Sequence, residues 1–197
     1  MEAKKIDKDL EWLRQVSKEV DLGTEDISED LKVLEEYCLG HGVFAMAAVQ
    51  LGIPKRLVYI KNTDLDKIED EEWNEATVLV NPVIKRREGL TQYWEACASC
   101  LDNCGRVLRP YKIELEYFDI SGNRHLEIFE GFASTVLSHE LDHLEGILHI
   151  DIAEEIINMP KEERKRWRQS HGYKIYYKTG DYNLLKKEQQ KTYKKVL

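Results

Sequence analysis

Apolar residues recur along this chain in two rhythms, one helical and one alternating. Within residues 7–20, Leu10, Leu13 and Val16 fall at helical spacing. Ser28–Cys38 repeats the pattern with Leu31, Leu34 and Tyr37; Ser28 and Asp30 can cap its start, and Gly40 and Gly42 break it. Leu57–Ile60 reads as a buried strand. Thr77–Val80 and Val83–Glu88 read as two strands interrupted by Asn81-Pro82. Tyr111–Asp119 alternates as a half-buried strand, Ser121-Gly122-Asn123 is a turn, and Arg124–Glu130 pairs back as a hairpin. Residues 132–144 form the strongest helix, apolar at Phe132, Val136, Leu137, Leu141 and Leu144 and stopped by Gly146. Asn62–Glu75 is an acidic loop, and 160–169 and 184–196 are charged helical segments. Strands through the middle with one helix among them predict an α+β fold of antiparallel or mixed sheets around that helix.

The chain has 197 residues, 42% hydrophobic and 34% charged, the size of one domain with an appendage. No apolar run approaches the ~20 residues of a membrane span, and MEAKKIDKDLEW carries no secretion signal. The expected location is therefore cytoplasmic, with no membrane partner. The net charge of −8 is unevenly spread. Residues 160–197 hold 12 Lys/Arg against 4 Asp/Glu, net +8; the remaining 17 against 33 leave −16 on residues 1–159. An acidic body argues against DNA as a partner and leaves the basic end as a contact for something anionic. Aromatics among its charges (Trp167, Tyr173, Tyr176, Tyr177) could stack on RNA bases.

Chemistry concentrates in His139-Glu140-Leu141-Asp142-His143. Positions i and i+4 of a helix share a face, so both imidazoles can reach one ion while Glu140 acts on a water beside it. Catalytic sites of this type take a third protein ligand. Glu145, His149, Asp151 and Glu154 follow too closely to be obvious. Cys97, in WEACAS between strand-like segments, suits a divalent ion of the iron-to-zinc series. A separate cluster of Cys97, Cys100 and Cys104 is the rival arrangement.

Three segments, in order, resemble the signature motifs of peptide deformylases: Val43–Gln50 (VFAMAAVQ), Glu95–Ser99 (EACAS) and His139–His143 (HELDH). LRQVSKEV, LGIPKRLVYI, LVNPVI and HLEGILHID extend the likeness over roughly residues 12–155. The resemblance implies a catalytic domain over 1–159 with a basic extension over 160–197. It implies metal-dependent removal of the formyl group from formyl-methionyl chains, with release of formate. Cys97, His139 and His143 would hold one divalent ion, iron(II) natively with zinc or another ion in preparations. Glu140 would be the general base, and the Gln50 amide and the Ala98 N–H the oxyanion donors. Phe44, Ala45, Ala96, Phe132 and Val136 would line the substrate cleft, and Glu95 with Arg109 would form a buried pair behind the cysteine. Val43, Ala45 and Ala96 stand where the family has glycine, Ala98 where it has a bulky apolar residue, and Cys104 where it has a basic one. These changes touch the walls and not the metal set, so a related metalloamidase or metallopeptidase with another substrate, or a non-catalytic metal-binding protein, is the alternative. The implied partners are the N-formylated peptide and, through a basic tail that small peptides do not need, the ribosome.

Overall fold

The computed structural model describes residues 2–61 and 77–194; the acidic segment Asn62–Glu75 lies outside them. Its elements are α1 (Leu10–Leu13), α2 (Ser28–His41), β1 (Ala45–Ala47), β2 (Leu57–Ile60), β3 (Thr77–Ala96), β4 (Asn103–Arg109), β5 (Lys112–Phe118), β6 (Arg124–Glu130), α3 (Phe132–Leu144), α4 (His149–Ile152), β7 (Glu155–Asn158), α5 (Lys161–His171), β8 (Lys174–Asp181) and α6 (Tyr182–Lys194). The fold is α+β. The strand pairings among the described residues are antiparallel.

β3 is the spine. Its first residues pair with β2, and its middle, Val80 to Glu88, with β5. Its last third pairs with β4 on one side and β8 on the other. The two strands expected on either side of Asn81-Pro82 are thus one strand. The dipeptide is absorbed as a bulge, with a register shift between Val80 and Val83 and Asn81 in the left-handed region at φ 51°. The Asn81 side chain accepts from Val20 N and donates to Val20 O, both at 2.8 Å, which secures the bulge against the N-terminal segment.

The long helix expected over 7–20 shrinks to α1. Beyond it the backbone finds tertiary partners instead: Ser17 N donates to Leu144 O, Lys18 N to Pro54 O, and Arg56 N to Lys18 O. Long-range hydrogen bonds override a helical spacing that supplies little buried area, Val16 being 62% exposed. Strands β1, β4, β7 and β8 did not stand out in the sequence. The β5–β6 hairpin forms as expected, its turn held by the Asp119 carboxylate, which accepts from Ser121 N and Asn123 N.

α3 buries Ala133, Leu137, Leu141 and Leu144 against Ile113, Leu115 and Phe129 of the β5–β6 hairpin and Ala47 and Val58 of β1 and β2. Gly146 ends it at φ 69°; a Cβ there would come within 2.3 Å of Arg14 O, so no side chain fits.

The basic C-terminal residues are built into the sheet. β8 pairs with β3, and Tyr182 at the start of α6 joins buried Leu90 and Leu108 in a small core flanked by Tyr176, Leu185 and Tyr193. Of the aromatics expected to face outward, Trp167 meets Trp94, Tyr173 meets Tyr93 and Phe132, and Tyr176 hydrogen-bonds Gln92; Tyr177 remains exposed.

Candidate active site

Two elements converge on the site. α3 turns His139 and His143 to one face. β3 ends at Ala96, paired to Cys104 of β4, which sets the following Cys97 in extended conformation before the tight turn Ala98–Cys100. The ligand-type atoms of Cys97, His139 and His143 lie within 4.8 Å of one another. Cys97 Sγ is 3.3 Å from His143 Nε2, which is 3.3 Å from His139 Nε2. A tetrahedral ion with bonds of ~2.0–2.1 Å to nitrogen and ~2.3 Å to sulfur spaces its ligands about 3.3–3.6 Å apart, so this donor set fits one divalent ion. The cluster contains neither Cys100, which packs with Leu13 and Leu148, nor Cys104, nor any of Glu145, His149, Asp151 and Glu154.

Behind the histidine lies a buried ionic chain. His139 Nδ1 is 2.7 Å from Glu95 Oε2, and Glu95 accepts both prongs of the Arg109 guanidinium at 2.7 and 2.9 Å. Arg109 also pairs with Asp142. Burial alone would raise the Glu95 pKa, but the Arg109 charge, its hydrogen bonds and His139 outweigh it and hold the carboxyl well below the usual range. An ionised Glu95 only accepts, so His139 carries its proton on Nδ1 and presents Nε2 to the cluster.

Glu140 is buried beside the cluster. Its Oε2 accepts from Ala47 N of β1 at 2.8 Å, and Ala47 N also reaches Gln50 Oε1 at 3.2 Å. Burial is the largest influence on the Glu140 carboxyl and pushes it up to about 7. The Gln50 amide donates from Nε2 to Cys97 Sγ at 3.2 Å and to Ser99 Oγ at 3.1 Å.

A cavity of about 450 Å³ opens over these groups. Phe44, Ala45, Ala96, Ala98, Phe132 and Val136 line it together with Gln50, Cys97, His139 and Glu140, so of the residues expected at the site all but the buried His143 line one cleft. Val43 lines it too, so all three positions that depart from glycine, Val43, Ala45 and Ala96, stand at its wall. Sequence reading missed Tyr93, Thr135 and Arg168 on the wall, Ser99 beside Gln50 and Asp142 beside Arg109. Asp142 lies three residues after His139 on the helix, a spacing that could have signalled it. Arg168, 25 residues beyond His143, carried no such signal.

The comparisons with known proteins agree with one another. The polypeptide deformylase family profile matches residues 4–158. Peptide deformylase of Pelagibacter ubique is 38% identical over 141 residues, covering 71% of this chain and 78% of the relative. That of Rhizobium meliloti is 36% identical over 140 residues, covering 71% and 78%. A probable peptide deformylase from a Synechococcus phage superposes with a TM-score of 0.65 at 32% identity, covering 77% of this chain and 98% of that one. A Synechococcus elongatus peptide deformylase in complex with actinonin gives 0.66 at 29% identity, covering 87% and 88%. The chain belongs to the polypeptide deformylase family, metal-dependent hydrolases that remove the N-formyl group from newly made polypeptides.

Proposed function

We propose that Cys97, His139 and His143 hold iron(II) in the native enzyme, and that Glu140 is the acid–base group acting on a formyl-methionyl chain seated in the cleft. The observation that carries this is the convergence of the three ligand atoms beside a buried carboxyl at the floor of an apolar cavity. The bound ion would supply Lewis-acid polarisation and acidify a water ligand. Glu140, anchored by Ala47 N, takes the proton as water attacks the formyl carbon and returns it to the amine nitrogen as the C–N bond breaks and formate leaves. Its place beside the ligand cluster, fixed by Ala47 N, suits both transfers. The Gln50 amide, aimed at Cys97 Sγ from the cleft wall, and the Ala98 N–H are the donors for the oxyanion. Phe44, Ala45, Ala96, Phe132 and Val136 form the wall for the methionyl residue, an apolar surround that suits an apolar first side chain.

Residues 1–159 carry the proposed metal ligands and base, and 160–197 form a basic extension docked on them that adds Arg168 to the cleft wall, working in the cytoplasm with the exposed lysines of α6 as the ribosome contact. No helix of the described residues is long and apolar enough to cross a membrane. The test is formate release from formyl-Met-Ala-Ser by protein purified anaerobically with iron. Turnover that needs the metal is expected; metal-loaded protein that releases no formate would remove the deformylase assignment for this chain.

A further inference from the structure

A second cavity, of about 760 Å³, continues from the first. The two share Ala96, Cys97, Ala98 and Arg168 as lining, so the floor of the first becomes the side of the second. The second is strongly basic: Lys5, Lys161, Arg164, Lys165 and Arg168 line it, against Glu2 as the acidic group. Four of those cations come from α5, at positions i, i+3, i+4 and i+7, which is one face of a helix. One flank of that face is anchored, Trp167 edge-on to Trp94 at 5.7 Å and stacked on His171 at 3.4 Å. The anchor aims the basic face into the cavity. α5 lies beyond the segment that the family profile matches.

Arg168 is placed as a recognition group. Its guanidinium lies 4.9 Å from the Tyr93 ring centroid and donates to Tyr93 Oη at 2.6 Å. Its Nε is buried without a partner, and no carboxylate pairs with it among the described residues. Arg164, by contrast, is engaged by Leu101 O at 2.7 Å and Asp102 at 3.6 Å. A half-buried guanidinium held against a tyrosine with donors to spare is pre-organised for a carboxylate.

We propose that α5 supplies a cationic subsite for the residues that follow the formylated one, so that the enzyme favours chains with Asp or Glu at the second or third position. This rests on the reading of the first cavity as the seat of the formyl-methionyl residue. An extended peptide advances about 3.3 Å per residue, so side chains that follow one seated in the first cavity fall toward the second, where Arg168 belongs to the lining that the two share. An acidic body makes the subsite a local exception, and the preference should weaken as salt screens it.

The test compares amidated formyl tetrapeptides carrying Asp, Ser or Lys at the second or third residue. For the wild type, kcat/KM should fall in the order Asp, Ser, Lys, with Asp over Lys by on the order of tenfold, the scale of one charge-assisted hydrogen bond. Arg168→Gln should bring that ratio toward one, mainly through KM, and Arg168→Lys should keep part of it. Lys165→Gln, at an exposed position, should lower it by a smaller factor and stands in should Arg168→Gln fail to fold. Binding of the matching deformylated peptides, read by fluorescence anisotropy, separates the two readings. Acid-selective binding without turnover would sink the deformylase assignment and keep the subsite; turnover with a wild-type ratio within twofold, or a ratio unmoved in Arg168→Gln, would sink the subsite. A preference confined to peptides with a free C-terminal carboxylate would overturn the side-chain assignment.

Discussion

His139 Nδ1 lies 2.7 Å from Glu95 Oε2, so one imidazole of the candidate ligand cluster is oriented by a carboxylate that is itself clamped by Arg109. Glu95→Gln should weaken metal binding by about 10–100-fold, the usual effect of removing such a partner. It should also destabilise the fold, since Arg109 is left buried with only Asp142. Glu95 is ionised below its ordinary value of 4.5 in the folded protein. Its stabilising contribution is therefore present above that pH and lost as pH falls through the folded value. Denaturant melts of both proteins from pH 7 downward check this: the gap between them should narrow in acid, and a constant gap would refute the linkage.

Glu140→Gln should keep fold and metal and lose ~100–10,000-fold in kcat. The amide can still pair with Ala47 N through its oxygen, so the helix position is retained. Metal content and formate release measured on one preparation decide it; full activity in the variant would place the base elsewhere.

Cys97→Ala should lose metal as completely as His139→Ala. Cys100→Ala should retain it, because Cys100 packs with Leu13 and Leu148 outside the ligand cluster. Elemental analysis showing the reverse pattern would favour the cysteine cluster that the spacing also permits.

Val43 and Ala45 stand at the cavity wall, each adding side-chain bulk where glycine would leave room for a peptide backbone. Val43→Gly with Ala45→Gly should lower KM for formyl-Met-Ala-Ser more than it raises kcat. Steady-state kinetics showing an unchanged KM would make these positions silent.

Truncation after Met159 removes the β8 partner of β3 and uncovers Leu90 and Leu108. Loss of such apolar burial typically costs a few kcal/mol, so the truncated chain should melt well below the full chain. Ribosome association is better probed with the fold intact, by Lys187→Gln with Lys191→Gln, both exposed on α6. Co-sedimentation should weaken in that variant and fall with salt in the wild type. Equal, salt-independent pelleting would leave the lysines without that role.

Local pattern was enough for the hairpin over Lys112–Glu130, for α3, and for the cluster of His139, Glu140 and His143, because helix and hairpin geometry place neighbours a few residues apart. Order along the chain was enough to bring Gln50 and Cys97 into the reading through three motifs. Tertiary structure alone decided where the 7–20 helix ends, since Leu144, Pro54 and Arg56 capture its backbone. It alone merged the segments around Asn81-Pro82 into one strand and laid the tail along β3. Above all, it alone brought Arg168 to the cleft. A cation 71 residues from Cys97 leaves no trace in local periodicity; its place is set by Trp167 docking on Trp94, a contact between segments that meet only once the sheet has formed.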